Sequence, residues 1–363
     1  MILGDVDHAL ISWIDATSGG KRFPLFLTSL LSPLIVRGHM TLVGTDSNPV
    51  PNGAVTGTIR TADGVSLRFA RWKPTGRRSQ GTICLLQGRA EQIEKYFEVV
   101  GELRRRGFAV ATFDWRGQGG SERRLRNRRK GHVDSFSEYD RDLDCFMQEV
   151  VLPDCPPPHY ALAHSTGSLI CLRAAQSGRA RFARIVVAAP LAGLGPMRLS
   201  QQNAQRLAAV LTAVGFGELY VPGGKGTSIE EIPFEGNPLT GDASRFARNV
   251  EIVTSTPEFA IGPPTIGWLY AACQAMQEAA DPDFGPAIKV PTLVIAAAID
   301  RIVSVRAIEA LAGELRAGAQ VVIAGAQHEI LMERDFIRQQ FWAAFDAFVP
   351  GTRLVGNRTE VFA

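Results

Sequence analysis

The sequence is poor in the features that mark several protein classes. Its five cysteines (Cys84, Cys145, Cys155, Cys171 and Cys273) are odd in number, widely spaced and form no Cys-x-x-Cys pair. A disulfide framework or a structural zinc site is therefore not expected, and a reducing compartment fits. No run of about 18 apolar residues is present, so nothing reads as a membrane-spanning helix. Charge of one sign is not in excess. The 39 Lys+Arg against 36 Asp+Glu leave a net +3, too balanced for a dedicated nucleic-acid binder. There is no His-Glu-x-x-His, no P-loop and no Gly-x-Gly-x-x-Gly opening a helix. Metal or organic cofactors thus have no motif to rest on, and none is expected.

What is present is a chain of 363 residues, 45% hydrophobic and 21% charged, enough to bury a full-sized core. One large α/β domain with an insertion accounts for that length. Residues 1–54 read as an N-terminal extension, disordered or touching a membrane. Its most apolar stretch, Phe23 to Val36, is too short to span and carries Pro24 and Pro33. Asp5, Asp7 and Asp15 spoil the basic start of a secretory signal, and Met40 is an alternative first residue. A cytoplasmic location follows, peripheral to the inner face of the membrane if the extension touches it.

From residue 55 the pattern is regular. Thr58 to Thr61 and Val65 to Trp72 flank Asp63-Gly64, the signature of two strands joined by a tight turn. Thr82 to Leu86, Phe108 to Phe113, Tyr160 to Ala163 and Ile185 to Ala189 read as buried strands. Helical periodicity fills the gaps: Ile93 to Gly107, Phe136 to Val150, and a helix from Ser165. After Pro190 the rhythm stops, and residues 196–285 carry helical patches without strong strand signals. It resumes with strands at Thr292 to Ala298 and Val321 to Ala324 and helices at Val305 to Leu315 and Phe336 to Phe348. Such alternation predicts a mostly parallel central sheet with helices on both faces. The expected core is 55–195 plus 286–350, the insertion at 196–285 is a mainly helical cap, and 351–363 is a tail.

One segment carries nucleophile chemistry. Ala163-His164-Ser165-Thr166-Gly167 lies between a predicted strand and a predicted helix, where a sharp turn exposes the serine hydroxyl and requires small residues two positions away on either side. Gly167 meets that requirement; Ala163 adds a methyl where glycine is usual. A serine that merely caps a helix is the plainer reading. The serine needs a base and the base an orienter. His328, between the last strand and the last helix, and Asp300, at the end of the strand before, supply both in the order Ser, Asp, His expected of α/β-hydrolases. His132, His159 and His164 are less suitable as the base. The Thr166 N–H, at the helix start, and the Arg89 N–H, in the loop after Leu86, are the expected oxyanion donors. Gly88 is expected to let the backbone approach the substrate.

Longer motifs give the chain a resemblance. Leu86-Gln87-Gly88-Arg89-Ala90-Glu91, Glu94-Lys95-Tyr96-Phe97, Phe113-Asp114-Trp115-Arg116-Gly117-Gln118-Gly119-Gly120-Ser121, Arg129-Lys130-Gly131-His132-Val133 and Gly262-Pro263-Pro264-Thr265-Ile266-Gly267-Trp268-Leu269 make it similar to the bacterial lysophospholipase and monoacylglycerol lipase group of α/β-hydrolases. The likeness runs from about residue 55 to 350. It departs at Ala163 and at Gln87, where the wider family often has histidine. The resemblance implies a serine hydrolase of fatty-acyl carboxylic esters, with Ser165 as nucleophile, His328 as base, Asp300 as orienter and no cofactor. A short-chain carboxylesterase, a haloperoxidase-like hydrolase and a non-enzymatic binding protein of the same fold are the alternatives. Lipid or small-ester substrates are the expected partners, with nucleic acid excluded. Phe216, Tyr220, Phe234, Phe246, Phe259, Trp268 and Tyr270 suffice to line an acyl tunnel, although such residues are more often packing. The dense basic run Arg123 to Lys130 is either a solvated loop or a contact for an anionic lipid surface or a phosphate head group.

Overall fold

The computed structural model describes residues 41–351 apart from 77, 78 and 198. The apolar stretch Phe23–Val36, the alternative start Met40 and the tail beyond residue 351 lie outside the described residues.

Alternation of apolar strands and amphipathic helices builds one sheet. β1 (Val55–Arg60) and β2 (Ser66–Trp72) form an antiparallel hairpin; β3 (Thr82–Leu86), β4 (Ala109–Phe113), β5 (His159–His164), β6 (Arg184–Ala188), β7 (Thr292–Ala297) and β8 (Gly318–Ile323) run parallel. Their spatial order is β1-β2-β4-β3-β5-β6-β7-β8. Every residue of β3, β4, β5 and β7 is buried, as parallel strands covered on both faces must be. The cover comes from α1 (Phe97–Arg105), α2 (Phe136–Phe146), α3 (Ser165–Gln176), α7 (Val305–Glu314) and α8 (Asp335–Phe348), while α4 (Gln201–Leu211), α5 (Ala243–Ser255) and α6 (Ile266–Ala279) lie between β6 and β7. No strand occurs among the described residues of that interval.

The strand order determines where a ligand can sit. From β3 the chain crosses to β4 on one side and then returns to β5 on the other. The loops after β3 and β5 therefore diverge and leave a crevice at their carboxyl ends, where open α/β sheets bind ligands.

Several boundaries differ from the sequence reading, β1 beginning at Val55 and not at Thr58. β8 begins at Gly318, three residues before the expected Val321, because its first residues are exposed on the sheet edge and carry no apolar signal. Residues 41–54 were expected to belong to the extension, yet they pack on the sheet domain. Leu42 is buried, the Val43 N–H donates to the Glu94 carboxylate (3.2 Å), and the Asn48 amide donates to the Glu94 carbonyl (2.8 Å). Among the described residues no helix is long and apolar enough to cross a membrane.

Candidate active site

β5 ends at His164 and α3 begins at Ser165, so the chain must turn sharply at the serine. It does so with Ser165 at φ +50°, in the left-handed region that residues with a side chain rarely adopt. Gly167 is required here: a Cβ at that position would lie 2.3 Å from the Gln87 carbonyl oxygen. Helix α3 thereby starts flush against the loop after β3. The helix start also leaves the Thr166 N–H without a partner in its own helix.

Three distant side chains meet at this turn. The Ser165 Oγ lies 3.0 Å from His328 Nε2, and His328 Nδ1 lies 2.8 Å from Asp300 Oδ2. The other carboxylate oxygen, Oδ1, accepts the N–H groups of Ile302 (2.7 Å) and Val303 (3.0 Å). Burial pushes the Asp300 carboxyl up, but His328 and these two backbone donors more than offset it, and the group stays below the usual carboxylate range. A carboxylate so held fixes the imidazole with Nδ1 protonated, which leaves Nε2 free to take a proton from the serine. Ser165, His328 and Asp300 are each less than 9% exposed.

The loop after β3 is clamped by the glycine-rich motif. The Trp115 indole donates to the Gln87 carbonyl (2.8 Å), and the Gln118 amide donates to the carbonyls of Gly88 (2.8 Å) and Glu91 (2.9 Å) while accepting the Ala90 N–H (3.1 Å). Gly120 leaves room for Arg68, whose Nε would be 2.5 Å from a Cβ there. Gly88 has a different use from the expected approach to substrate. Its N–H is taken by the Glu91 carboxylate, and a Cβ on it would collide with Glu91 (2.9 Å) and His164 (3.0 Å). The neighbouring Arg89 N–H has no acceptor among the described residues.

Behind this loop lies a buried charge network that sequence reasoning missed. Lys95 Nζ donates to Glu91 (2.9 Å) and to Glu329 (2.5 Å), the residue after His328, and Tyr96 Oη donates to Glu91 (2.7 Å). His164 Nδ1 is 3.1 Å from Glu91, and its Nε2 is 3.2 Å from the His328 carbonyl oxygen. Both ring nitrogens face acceptors, which only the doubly protonated ring can satisfy. Burial disfavours that cation, but Glu91 more than offsets it, and the His164 pKa is raised. Burial likewise pushes Glu91 up, yet Lys95 and His164 hold it well below the usual range. The network joins the β3 loop, the serine turn and the His328 loop into one unit. The one signal for it in the sequence was the i,i+4 spacing of Glu91 and Lys95.

Other expected residues have structural commitments. The Trp268 indole donates to Tyr139 Oη (3.0 Å), and its ring packs against Phe136 in the core. Phe246 and Phe259 are buried, whereas Phe216 is 49% exposed. Within the basic run, Arg124 pairs with Asp134 and Arg129 with Glu231 (2.6 Å), and Arg123 donates to four backbone carbonyls. His132 bridges Thr265 (2.7 Å) and Asp134 (3.1 Å).

The family described as serine aminopeptidase, S33, matches residues 77–335. Lysophospholipase L2 of Escherichia coli K12 is 32% identical over 313 residues, which cover 82% of this chain and 89% of that protein. The chain belongs to the α/β-hydrolase family. Within it, the chain falls in the lysophospholipase and monoacylglycerol lipase group and is a carboxylic ester hydrolase. A probable lysophospholipase L2 of Haemophilus influenzae is 29% identical over 270 residues, 74% of this chain and 83% of that one. The fold is shared with the monoacylglycerol lipase of Paleococcus ferrophilus (TM-score 0.62, 21% identity, 78% of this chain and 99% of that one). It is also shared with a soluble variant of the Saccharomyces cerevisiae monoglyceride lipase (TM-score 0.65, 17% identity, 82% and 97%).

Proposed function

We propose that this α/β-hydrolase releases the fatty acid from lysophospholipids, or from monoacylglycerols, by two-step acyl transfer at Ser165. The observation that carries the reading is the continuous relay from Ser165 Oγ through His328 to Asp300, at 3.0 and 2.8 Å, centred on a strained strand-to-helix turn. His328 Nε2 takes the hydroxyl proton as Ser165 Oγ attacks the ester carbonyl. The oxygen that becomes negative is received by the N–H groups of Thr166 and Arg89; loss of one such donor costs roughly 2.7–4 kcal/mol of transition-state stabilisation. Collapse of the tetrahedral intermediate expels the alcohol, which receives the proton from the imidazolium, and leaves the acyl group on Ser165. Water, deprotonated by the same imidazole, then releases the acid.

Support for a long acyl chain comes from the relatives' names and from an apolar groove. The groove, about 420 Å³, is lined by Leu194, Met197, Leu207, Leu211, Ile266 and Leu269 among others. It reaches Arg301 and Ile302, the two residues after Asp300, and is otherwise lined by apolar side chains, glycine and proline, which suits an acyl chain. In this role residues 196–285 serve as the cap over the site, and 55–195 with 286–350 as the catalytic core.

Turnover of lysophosphatidylcholine, monoacylglycerol and p-nitrophenyl acetate by the full chain and by Ser165→Ala tests the proposal. The expected result is hydrolysis of a long-chain ester, fluorophosphonate labelling of the wild type, and loss of both by about 10⁴-fold or more in the variant. Turnover confined to the acetate would replace the lipid reading with a short-chain esterase. Absence of labelling in the wild type would remove the serine mechanism.

A further inference from the structure

The loop that carries His328, between β8 and α8, is tied to two other parts of the chain. Toward the catalytic turn, the Ile299 N–H donates to the Ala326 carbonyl (3.0 Å), and His164 Nε2 meets the His328 carbonyl (3.2 Å). The second tie is to the insertion, at a turn formed by residues 237–242. The Glu329 N–H donates to the Leu239 carbonyl (2.8 Å), and Thr240 Oγ1 donates to the Met332 carbonyl (2.7 Å). The Gly241 N–H donates to Glu333 Oε2 (3.0 Å), and Arg334 Nε donates to the Gly241 carbonyl (2.9 Å). The turn is itself pinned, because Asn237 Oδ1 accepts the N–H groups of Leu239 (2.9 Å) and Thr240 (3.0 Å). Thr240 is fully buried, and its hydroxyl also accepts the Asp242 N–H (3.0 Å).

Glu333 joins the two sides. It is fully buried and makes no ion pair among the described residues. Its Oε1 accepts the N–H of Gln327 (2.9 Å), the residue before His328, and its Oε2 accepts those of Gly241 (3.0 Å) and Arg334 (3.3 Å). A buried carboxylate without a cation is costly unless donors meet both oxygens, and here every donor is a backbone N–H. The insertion comes close: a Cβ on Gly241 would lie 3.1 Å from Glu333 Oε2. Since the Glu329 N–H is spent on Leu239, the peptide groups on both sides of His328 are fixed, one through Glu333 and one by the insertion itself. We propose that Glu333, seated on the insertion turn 237–242, is a positioning residue for His328 and holds its imidazole at proton-transfer distance from Ser165. The insertion thereby sets the rate of the chemical step as well as any fit to the acyl chain. Misplacement by about 1 Å costs such a step up to about 10²-fold. This inference rests on the reading of His328 as the base that activates Ser165.

The test measures kcat and KM of the full chain on p-nitrophenyl acetate, whose acyl group is too short to depend on the groove, together with the rate of fluorophosphonate labelling. Glu333→Gln keeps the volume but turns an amide donor toward a backbone N–H. Thr240→Val removes the hydroxyl, and Thr240→Ser keeps it. Both kcat and the labelling rate should fall about 10- to 100-fold in Glu333→Gln, with KM unchanged. Thr240→Val should lose about 3- to 10-fold, the range for one hydrogen bond, and Thr240→Ser should match wild type. The decisive readout is the same set in a His328→Ala background. There a residue that acts only through the imidazole has nothing left to position and should add no further loss to the residual rate. A further loss by the same factor, a rise in KM with kcat unchanged, or unchanged kcat in both variants would each overturn the inference. Should Glu333→Gln not fold, the Thr240 pair answers the question alone. Turnover at the wild-type rate in His328→Ala would instead strike the reading of His328 as the base.

Discussion

The loops at the carboxyl ends of β3, β5 and β8 and the insertion between β6 and β7 follow opposite rules. The loops are built from charges removed from water: Glu91, Lys95, His164 and Glu329 are each buried, and each holds at least one of the others. The insertion leaves apolar side chains in water instead, with Val210 and Val214 both 61% exposed, Leu219 50% and Phe216 49%. The first arrangement gives one geometry, because a buried ion has few places where its charge is compensated. The second specifies little, since an exposed apolar side chain has no partner to lose. On the proposed function, chemistry that needs sub-ångström placement would sit on the first, and contact with a chain of variable length would be left to the second.

Breaking the network should produce the larger effect. Glu91→Ala removes the acceptor of Lys95, Tyr96, His164 and the Gly88 N–H at once. Lys95 keeps Glu329, but the buried His164 cation loses its carboxylate; removing one partner of a buried ion pair costs about 3–5 kcal/mol, so the variant should unfold at markedly lower denaturant concentration and lose activity with it. The folded pKa of Glu91 is depressed. Its stabilising contribution is therefore present above the unfolded value, lost as pH falls through the folded one, and the deficit of the variant should shrink in acid. A chemical-denaturation series from pH 7 down to about pH 2.5, which crosses the region below the unfolded value, measures this. A deficit that is the same at every pH would mean that Glu91 acts through packing and not through charge.

Glu230 offers an intermediate case, a buried carboxylate at the border of the two regions. Burial raises its pKa from 4.5 to about 7, with Lys95 opposing the shift. Here the folded state binds the proton more tightly than the unfolded state. The contribution is complete below about 4.5 and is lost as pH rises through 7. Glu230→Gln, which cannot ionise, should gain on the order of 1–3 kcal/mol relative to wild type between pH 5 and pH 8. A stability difference that does not change over that interval would place Glu230 in contact with water or with an unrecognised cation.

How much of this was legible in the sequence follows the same division. The relay was legible because Ser165 and Asp300 follow strands whose apolar runs are unmistakable, and because chain order distinguishes His328 from the other histidines. The network was not. Lys95 and Glu329 are 234 positions apart, and a charged residue on a short helical turn reads as a solvated one. His164 was set aside as the base; its hold on the His328 carbonyl depends on the loop after β8 reaching back to the end of β5, three strands away in the sheet. The motif from Asp114 to Ser121 was visible as glycine-rich text. Its function as a clamp appears only once Trp115 and Gln118 are seen to reach back to the loop after β3.

The smallest effect is expected on the exposed face of the insertion. Val214 and Phe216 lie in a π-helical turn after α4, around Gly215 at φ +91°, in which no residue is buried. Val214→Ser and Phe216→Ser should each change folding stability by less than about 0.5 kcal/mol, the range for surface positions. Denaturant midpoints measure this directly, and hydrolysis of p-nitrophenyl acetate by the same variants reports whether the relay is disturbed. A loss above about 1.5 kcal/mol in either variant would show that this face is packed in solution, against another part of the chain or a second copy. The contrast between a rigidly held side and a loosely determined one would then have to be withdrawn.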